Sequence, residues 1–221
     1  MKYEAIVFDL DGTVLDTIED LCDAVNYAMN KYNLPEITIA QTKSYLGWGI
    51  KTLVNKSIGY EREDSDEILA CFKSKYDEIC DHKTRPFDGI YEILSYCKEN
   101  NIKCAIASNK IQSAVDILCD KWFGKYMNVF VGEGDGRLRK PEPDIVLHAC
   151  KLLDVNPNNI LYVGDSEVDI TTVNNLGCSG AFVSYGFRTK EQLEEKTNEK
   201  IYETVNDLFE YIKKVNLDII N

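Results

Sequence analysis

Two rhythms of apolar and polar positions alternate along most of the chain. Ala5 to Phe8 is a short, continuous apolar run with β-branched and aromatic side chains, which predicts a buried strand. Lys103 to Ala107, Asn128 to Val131, Ile160 to Val163 and Gly180 to Ser184 predict further strands. Between them the apolar period lengthens to that of helices. It predicts helices over 89–100, 111–122, 143–153 and 168–176, and a last one over about 202–215 carrying Val205, Leu208, Phe209, Ile212 and Val215. Strands alternating with helices imply an α/β fold with a doubly wound parallel sheet. The charged run Glu191 to Lys200 reads as a solvated loop or helix face.

Residues 17–83 interrupt this alternation, for they show helical spacing and no strand. Thr17 is the expected N-cap of the first helix, with Asp20 three positions on. Ile18, Leu21, Cys22, Val25, Ala28 and Met29 form its apolar face, and Pro35 ends it. A short helix follows through 39–46, then a break at Gly47-Trp48-Gly49, then Leu53, Val54 and Ile58 at helical spacing to Gly59. Asp64 or Ser65 caps a further helix with Ile68, Phe72, Tyr76 and Ile79. The expected organisation is a core made of 1–16 and 84–221, with an inserted α-helical cap over 17–83. The insert joins the core through two segments, so hinge-like motion is expected near Asp16-Thr17 and Thr84-Arg85-Pro86.

Composition narrows the class. The 221 residues suffice for one full α/β domain with a smaller insert. The formal net charge is −12 and the isoelectric point is near 4.7. Lys and Arg are not clustered, which argues against a nucleic-acid surface, and any phosphate site must bring its own local cations. No apolar run approaches the length of a membrane span, and Asp9 and Asp11 break the N-terminal apolar run as a signal peptide would not allow. There are eight cysteines but no Cys-x-x-Cys, and the only histidines are His82 and His148. Zinc spacing is therefore absent, and buried free thiols in a reducing, cytoplasmic setting are expected.

The candidate chemistry lies where strands end. Asp9 and Asp11 follow the first strand; Ser108 and Asn109 follow the second; Lys140 precedes a helix; Asp165 and Asp169 follow the strand Ile160 to Val163. In an open α/β sheet these carboxyl ends form one crevice. A carboxylate there can act as a nucleophile, two carboxylates can hold a divalent cation, and hydroxyl and ammonium groups can hold transferring phosphoryl oxygens. The glycine-rich segment 132–136 lacks the Gly-x-x-x-x-Gly-Lys pattern of a phosphate loop.

Over nearly its whole length the chain resembles the haloacid dehalogenase superfamily. The motifs are Asp9-Leu10-Asp11-Gly12-Thr13, Ser108-Asn109-Lys110, Lys140-Pro141 and Gly164-Asp165-Ser166-Glu167-Val168-Asp169. The resemblance implies a Rossmann-like core and Asp9 as nucleophile, with Asp11 as general acid/base. It implies Ser108, Asn109 and Gly12 as substrate-binding residues, and Lys140 as a bridge between Asp9 and phosphate. It further implies Mg²⁺ held by Asp9, Asp165 and the backbone carbonyl of Asp11, with Asp169 supporting it. Gly47 to Val54, Thr84 to Phe87 and Ser184 to Phe187 resemble segments of phosphoglycolate phosphatases.

The expected activity is hydrolysis of a small phosphomonoester through an aspartyl phosphate. A phosphomutase of the β-phosphoglucomutase type, a pyrophosphatase and a non-catalytic metabolite-binding protein of the same fold remain alternatives. Lys43, Trp48 and Lys51 are candidate substrate contacts of the insert. A mutase needs a grip on a second phosphate, and the insert has one arginine, Arg62, inside Glu61-Arg62-Glu63-Asp64. The expected partner is a small phosphorylated molecule, with no nucleic acid and no membrane. Oligomeric state is not encoded in any legible feature.

Overall fold

In a computed structural model of the protein, residues 3–60 and 62–217 are described. Glu61 of the acidic stretch around Arg62 lies outside them. The chain separates into two compact units, Met1–Leu15 with Pro86–Asn221 and Asp16–Arg85.

The first unit is built on a six-stranded parallel sheet. Its strands are β1 (Ala5–Phe8), β4 (Lys103–Ile111), β5 (Phe130–Glu133), β6 (Ile160–Gly164), β7 (Ser179–Val183) and β8 (Ile201–Tyr202), in spatial order β5-β4-β1-β6-β7-β8. The intervening strands β2 (Leu15–Asp16) and β3 (Arg85–Pro86) pair separately where the chain passes between units. Helices α5 (Ile90–Glu99), α6 (Gln112–Phe123), α7 (Asp144–Leu153), α8 (Glu167–Leu176) and α9 (Lys190–Glu194) lie between successive sheet strands, and α10 (Val205–Leu217) follows the last. Every residue of β1 is buried, as expected of a central parallel strand covered on both faces. Ala5 and Val7 join Ala105, Ala107 and Tyr162 on one face, under Ile145, Val146, Ala149 and Cys150 of α7.

The order of strands creates the site. From β1 the chain winds to β4 and β5 on one side, then returns from β5 to β6 on the other, and a crevice opens at the carboxyl ends where this direction switches. Phe8 is in register with Ile106 of β4 and Val163 of β6. Segments following these three strands therefore meet although they are far apart in sequence.

Several boundaries differ from the sequence expectation. The strand β4 continues through Ser108-Asn109-Lys110 to Ile111 instead of ending at Ala107, because its pairing with β5 resumes at Ile111 after a register shift and its polar side chains find partners. The strand expected over Asn128 to Val131 runs instead from Phe130 to Glu133, so Gly132 and Glu133 belong to β5. Residues 201–202 form a strand on β7 where a helix was expected to start. The helix begins later because Thr204 and Asp207 make reciprocal side-chain-to-backbone bonds that set its first turn. At the start of the charged run, Thr189 just before it and Gln192 within it cap α9 in the same way.

The second unit contains α1 (Ile18–Lys31), α2 (Ile39–Tyr45), α3 (Ile50–Ile58) and α4 (Ser65–Ile79). Thr17 occupies the N-cap of α1 but its side chain makes no capping bond. Asp20 is spent elsewhere: its carboxylate accepts the backbone N–H groups of Lys83 (3.0 Å) and Thr84 (2.8 Å). The single arginine of the insert, Arg62, donates from Nε (2.6 Å) and Nη2 (2.7 Å) to the Asp64 carboxylate. Lys43 lies in the last turn of α2, Trp48 between two positive-φ glycines, and Lys51 in the first turn of α3.

All eight cysteines are free, and six are buried. No helix among the described residues is long and apolar enough to cross a membrane.

Candidate active site

The ladder of β1 extends one residue beyond the strand, since the Asp9 N–H donates to the Val163 carbonyl at 2.8 Å. This fixes the Asp9 backbone between β4 and β6. Its Oδ1 accepts from the Leu10 N–H (2.7 Å) and lies 2.9 Å from Lys140 Nζ.

Lys140 comes from the loop before α7 and is placed by its own backbone. The side-chain amide of Asn109 donates to the Lys140 carbonyl (2.9 Å) and accepts the Lys140 N–H (2.7 Å). The resemblance implied Asn109 as a phosphoryl ligand; here both ends of its amide hold the lysine loop. Inside, the Lys140 ammonium also reaches Asp169 Oδ1 and the Tyr162 hydroxyl, each at 2.8 Å.

Asp169 is fully enclosed. One oxygen accepts from Lys140 and from the Tyr162 hydroxyl (2.8 Å), the other from the Ser166 N–H (3.1 Å) and hydroxyl (2.6 Å). The bonds to Ser166 close a capping box at the start of α8. Asp165 is placed differently. It is buried, forms no ion pair with a cation among the described residues, and accepts a hydrogen bond from the Phe187 N–H at 2.7 Å.

Two glycines make this tight cluster sterically feasible. Gly12 has φ +81° and its missing Cβ would overlap the Asp165 carboxylate. Gly186 faces both the Gly12 carbonyl and Asp165, again with no room for a side chain.

The electrostatics follow from burial. Desolvation raises Asp9 to about 7, with Asp169 and Asp11 adding to the shift and Lys140 opposing it. Desolvation also holds Asp165 well above the carboxylate range, helped by Asp169 and Asp9, and only partly offset by the Phe187 N–H and Arg188. For Asp169 burial acts upward too, but the Lys140 charge and the bonds from Lys140, Ser166 and Tyr162 outweigh it and keep the carboxyl low. Burial would depress Lys140, yet Asp169 and Asp9 together raise it.

Ligand oxygens of Asp9, Asp165 and Asp169 lie within 4.8 Å of one another. Three buried carboxylates lie together and the Lys140 ammonium pairs with two of them, Asp9 and Asp169, so the cluster is rich in negative charge. A hard divalent cation fits this all-oxygen donor set and this charge. Asp9 and Asp165 have the open oxygens for it, whereas the oxygens of Asp169 already take four hydrogens.

The other expected residues lie beside the cluster. Ser108 Oγ accepts the Lys110 N–H at 3.2 Å. The Asp11 carboxylate meets Lys110 Nζ, at 2.8 and 3.0 Å from its two oxygens. Sequence reasoning overlooked Lys110 as a partner of Asp11, Tyr162 as a partner of Lys140 and Asp169, and the Phe187 N–H. Lys110 stood inside a quoted motif, and Phe187 inside a noted segment. Tyr162 had no signal beyond its place in an apolar strand.

Residues 6–183 match the family model of haloacid dehalogenase-like hydrolases. The chain belongs to this family. Among curated haloacid dehalogenase relatives, it is 27% identical over 212 residues to phosphoglycolate phosphatase 1 of Pseudomonas aeruginosa, covering 92% of this chain and 77% of that one. It is 30% identical over 192 residues to the N-acetylmuramic acid 6-phosphate phosphatase of the same organism, covering 85% and 84%. A solved structure from Lactobacillus delbrueckii subsp. bulgaricus, assigned provisionally as a phosphoglycolate phosphatase, superposes with a TM-score of 0.90 at 32% identity over 96% of this chain and 99% of that one.

Proposed function

We propose that this haloacid dehalogenase-like hydrolase is a phosphatase that removes phosphate from a small phosphomonoester through an aspartyl phosphate on Asp9. The observation that carries this reading is the buried Asp9–Lys140–Asp169 network beside the cation-poor Asp165 at the head of β1. Residues 17–83 are read as the substrate-selecting cap of the 1–16 and 84–221 core.

In the first half-reaction an Asp9 carboxylate oxygen attacks phosphorus and the ester P–O bond breaks. Asp11 gives its proton to the departing oxygen. In the second half, Asp11 takes a proton from water, the water oxygen attacks phosphorus, and the bond to Asp9 breaks to release inorganic phosphate. Lys140 offsets charge on the Asp9 carboxylate and the transferring oxygens. Asp169, Tyr162 and Asn109 hold Lys140 in place, and Ser108 lies at the same strand end to meet a phosphoryl oxygen. Asp9, Asp165 and the Asp11 carbonyl would hold Mg²⁺, which would neutralise phosphoryl charge.

The names of the relatives favour a short ester such as phosphoglycolate, with a sugar phosphate as the second candidate. The mutase reading is weakened by Arg62, whose guanidinium fork is already taken by Asp64. The test is phosphate release from phosphoglycolate, sugar phosphates, glucose 1-phosphate and pyrophosphate, with Mg²⁺ or with EDTA. Wild-type protein is expected to release phosphate from a short ester only with Mg²⁺, and Asp9→Asn to release none while keeping its circular dichroism. Isomerisation of glucose 1-phosphate without release, or undiminished hydrolysis by Asp9→Asn, would overturn the reading.

A further inference from the structure

A second lysine, Lys110, is buried at the site, and none of the roles above uses its side chain. Lys110 sits near the end of β4, and only 4% of the residue is exposed. Its ammonium spans both oxygens of the Asp11 carboxylate, at 2.8 and 3.0 Å. Burying an ammonium is costly before any partner is counted, and earlier in β4 the core positions are taken by small apolar residues, Ala105 and Ala107. An apolar side chain would satisfy packing here at lower cost. The expense is met by a contact that fixes a particular carboxylate.

The geometry explains what is fixed. Asp11 stands three residues beyond Phe8, and Lys110 four residues beyond Ile106, its register partner on the neighbouring strand. The backbone around Asp11 is tied down by the turn bonds Thr13 N–H and Val14 N–H to the Leu10 carbonyl, and Gly12 N–H to the Leu15 carbonyl. These bonds set the Asp11 Cα but leave its two side-chain torsions free. An ammonium bridging both oxygens removes that freedom. Ser108 Oγ accepts the Lys110 backbone N–H, so the lysine is itself anchored to the strand.

We propose that Lys110 is a positioning residue that holds the Asp11 carboxylate in the orientation needed to take the proton from water in the second half-reaction. This rests on the reading of Asp11 as general acid/base. The step is the one already balanced above: the water oxygen joins phosphorus, the bond to Asp9 breaks, and the proton passes to Asp11. Lys110 touches neither substrate nor water in this step and acts through Asp11 alone.

The test separates the two halves by leaving group. Nitrophenolate departs without needing a proton, so 4-nitrophenyl phosphate phosphorylates Asp9 with little help from Asp11. Stopped-flow with this ester and Mg²⁺ is run on wild type, Asp9→Asn, Lys110→Met, Lys110→Gln, Asp11→Asn and the Lys110→Met/Asp11→Asn double variant. Lys110→Met is expected to give a burst of about one nitrophenolate per site, followed by a steady rate roughly 10–100-fold below wild type. Lys110→Gln, which retains a donor for Asp11, is expected between them. The double variant is expected to be no slower than Asp11→Asn, because residues acting through one another are not additive.

Lys110→Met at the wild-type steady rate would overturn the proposal, as would burst and steady rate falling together. A double variant slowed by the product of the single effects would do the same. If both Lys110 variants fail to fold, Lys110 is a structural residue and the proposal falls. Where wild type turns over, Asp9→Asn is dead and Lys110→Met is unaffected, the phosphatase reading stands and the Lys110 inference alone fails.

Discussion

Gly12 lies where two constraints meet. Its φ of +81° is a conformation that side chains disfavour by about 1–2 kcal/mol, and its absent Cβ would occupy the space of the Asp165 carboxylate. Gly12→Ala must therefore shift the backbone or push Asp165 aside. If Asp165 holds the metal as proposed, displacing it is expected to lower Mg²⁺ affinity roughly 10–100-fold. Thermal melts across a Mg²⁺ titration would show this as a rightward shift of the midpoint, separate from the lower metal-free melt that the backbone strain itself causes. An unchanged titration would mean that Asp165 does not hold the metal. Gly12 was legible as a site residue from Asp11-Gly12-Thr13, but its reason was not. The carboxylate that excludes a Cβ belongs to a residue more than a hundred positions away, and only the β1–β6 pairing brings it there.

Among the elements, α1 carries a polar link within the helical unit. Asp20 was legible as a capping partner of Thr17, three residues on. The structure gives it instead to the backbone of Lys83 and Thr84, where it is buried to 1% exposure. The physical reason is that the two N–H groups of Lys83 and Thr84 together gain more from an ionised acceptor than the single N-cap backbone of α1 would. Asp20→Ala leaves those donors without a partner, and a loss of about 2–4 kcal/mol is expected in urea unfolding. A change under about 0.5 kcal/mol would show that water replaces the carboxylate at no cost. The same competition explains α10. Apolar periodicity alone predicts a start near 202, but Ile201 and Tyr202 extend the sheet beside β7, and the Thr204–Asp207 box starts the helix after them.

For the whole molecule, the cluster at the head of β1 makes stability depend on pH and metal together. Asp9 has its pKa raised to about 7, and Asp165 is held well above the carboxylate range, in both cases chiefly by desolvation. A carboxyl whose folded value exceeds its unfolded value binds more proton when folded. Its contribution is present at low pH and is lost as pH rises from about 4 through the folded value. Metal-free protein in EDTA is therefore expected to melt lower as pH rises from about 5 to about 8. Saturating Mg²⁺ should recover more at the upper end, by ~2.7 kcal/mol at a hundredfold excess over Kd, which is roughly 5–10 °C for a chain of this size. Calorimetry at both pH values checks it. A melting temperature that rises with pH in EDTA, or that ignores Mg²⁺, would contradict the assignment of the cluster as a cation site.

The sequence by itself determined the alternation of strands and helices, because burial imposes its period on apolar residues wherever an element packs. It also determined where the acids gather, since Asp9 and Asp165 come just after apolar strands and so lie at their carboxyl ends. Tertiary structure decided the partners. Lys110 meets Asp11 across 99 residues, Asn109 holds Lys140 across 31, and the Tyr162 hydroxyl joins Lys140 to Asp169 from within a strand that reads as purely apolar. A side chain's partner depends on strand order and register, and these follow from how the whole sheet packs. No local spacing carries that information.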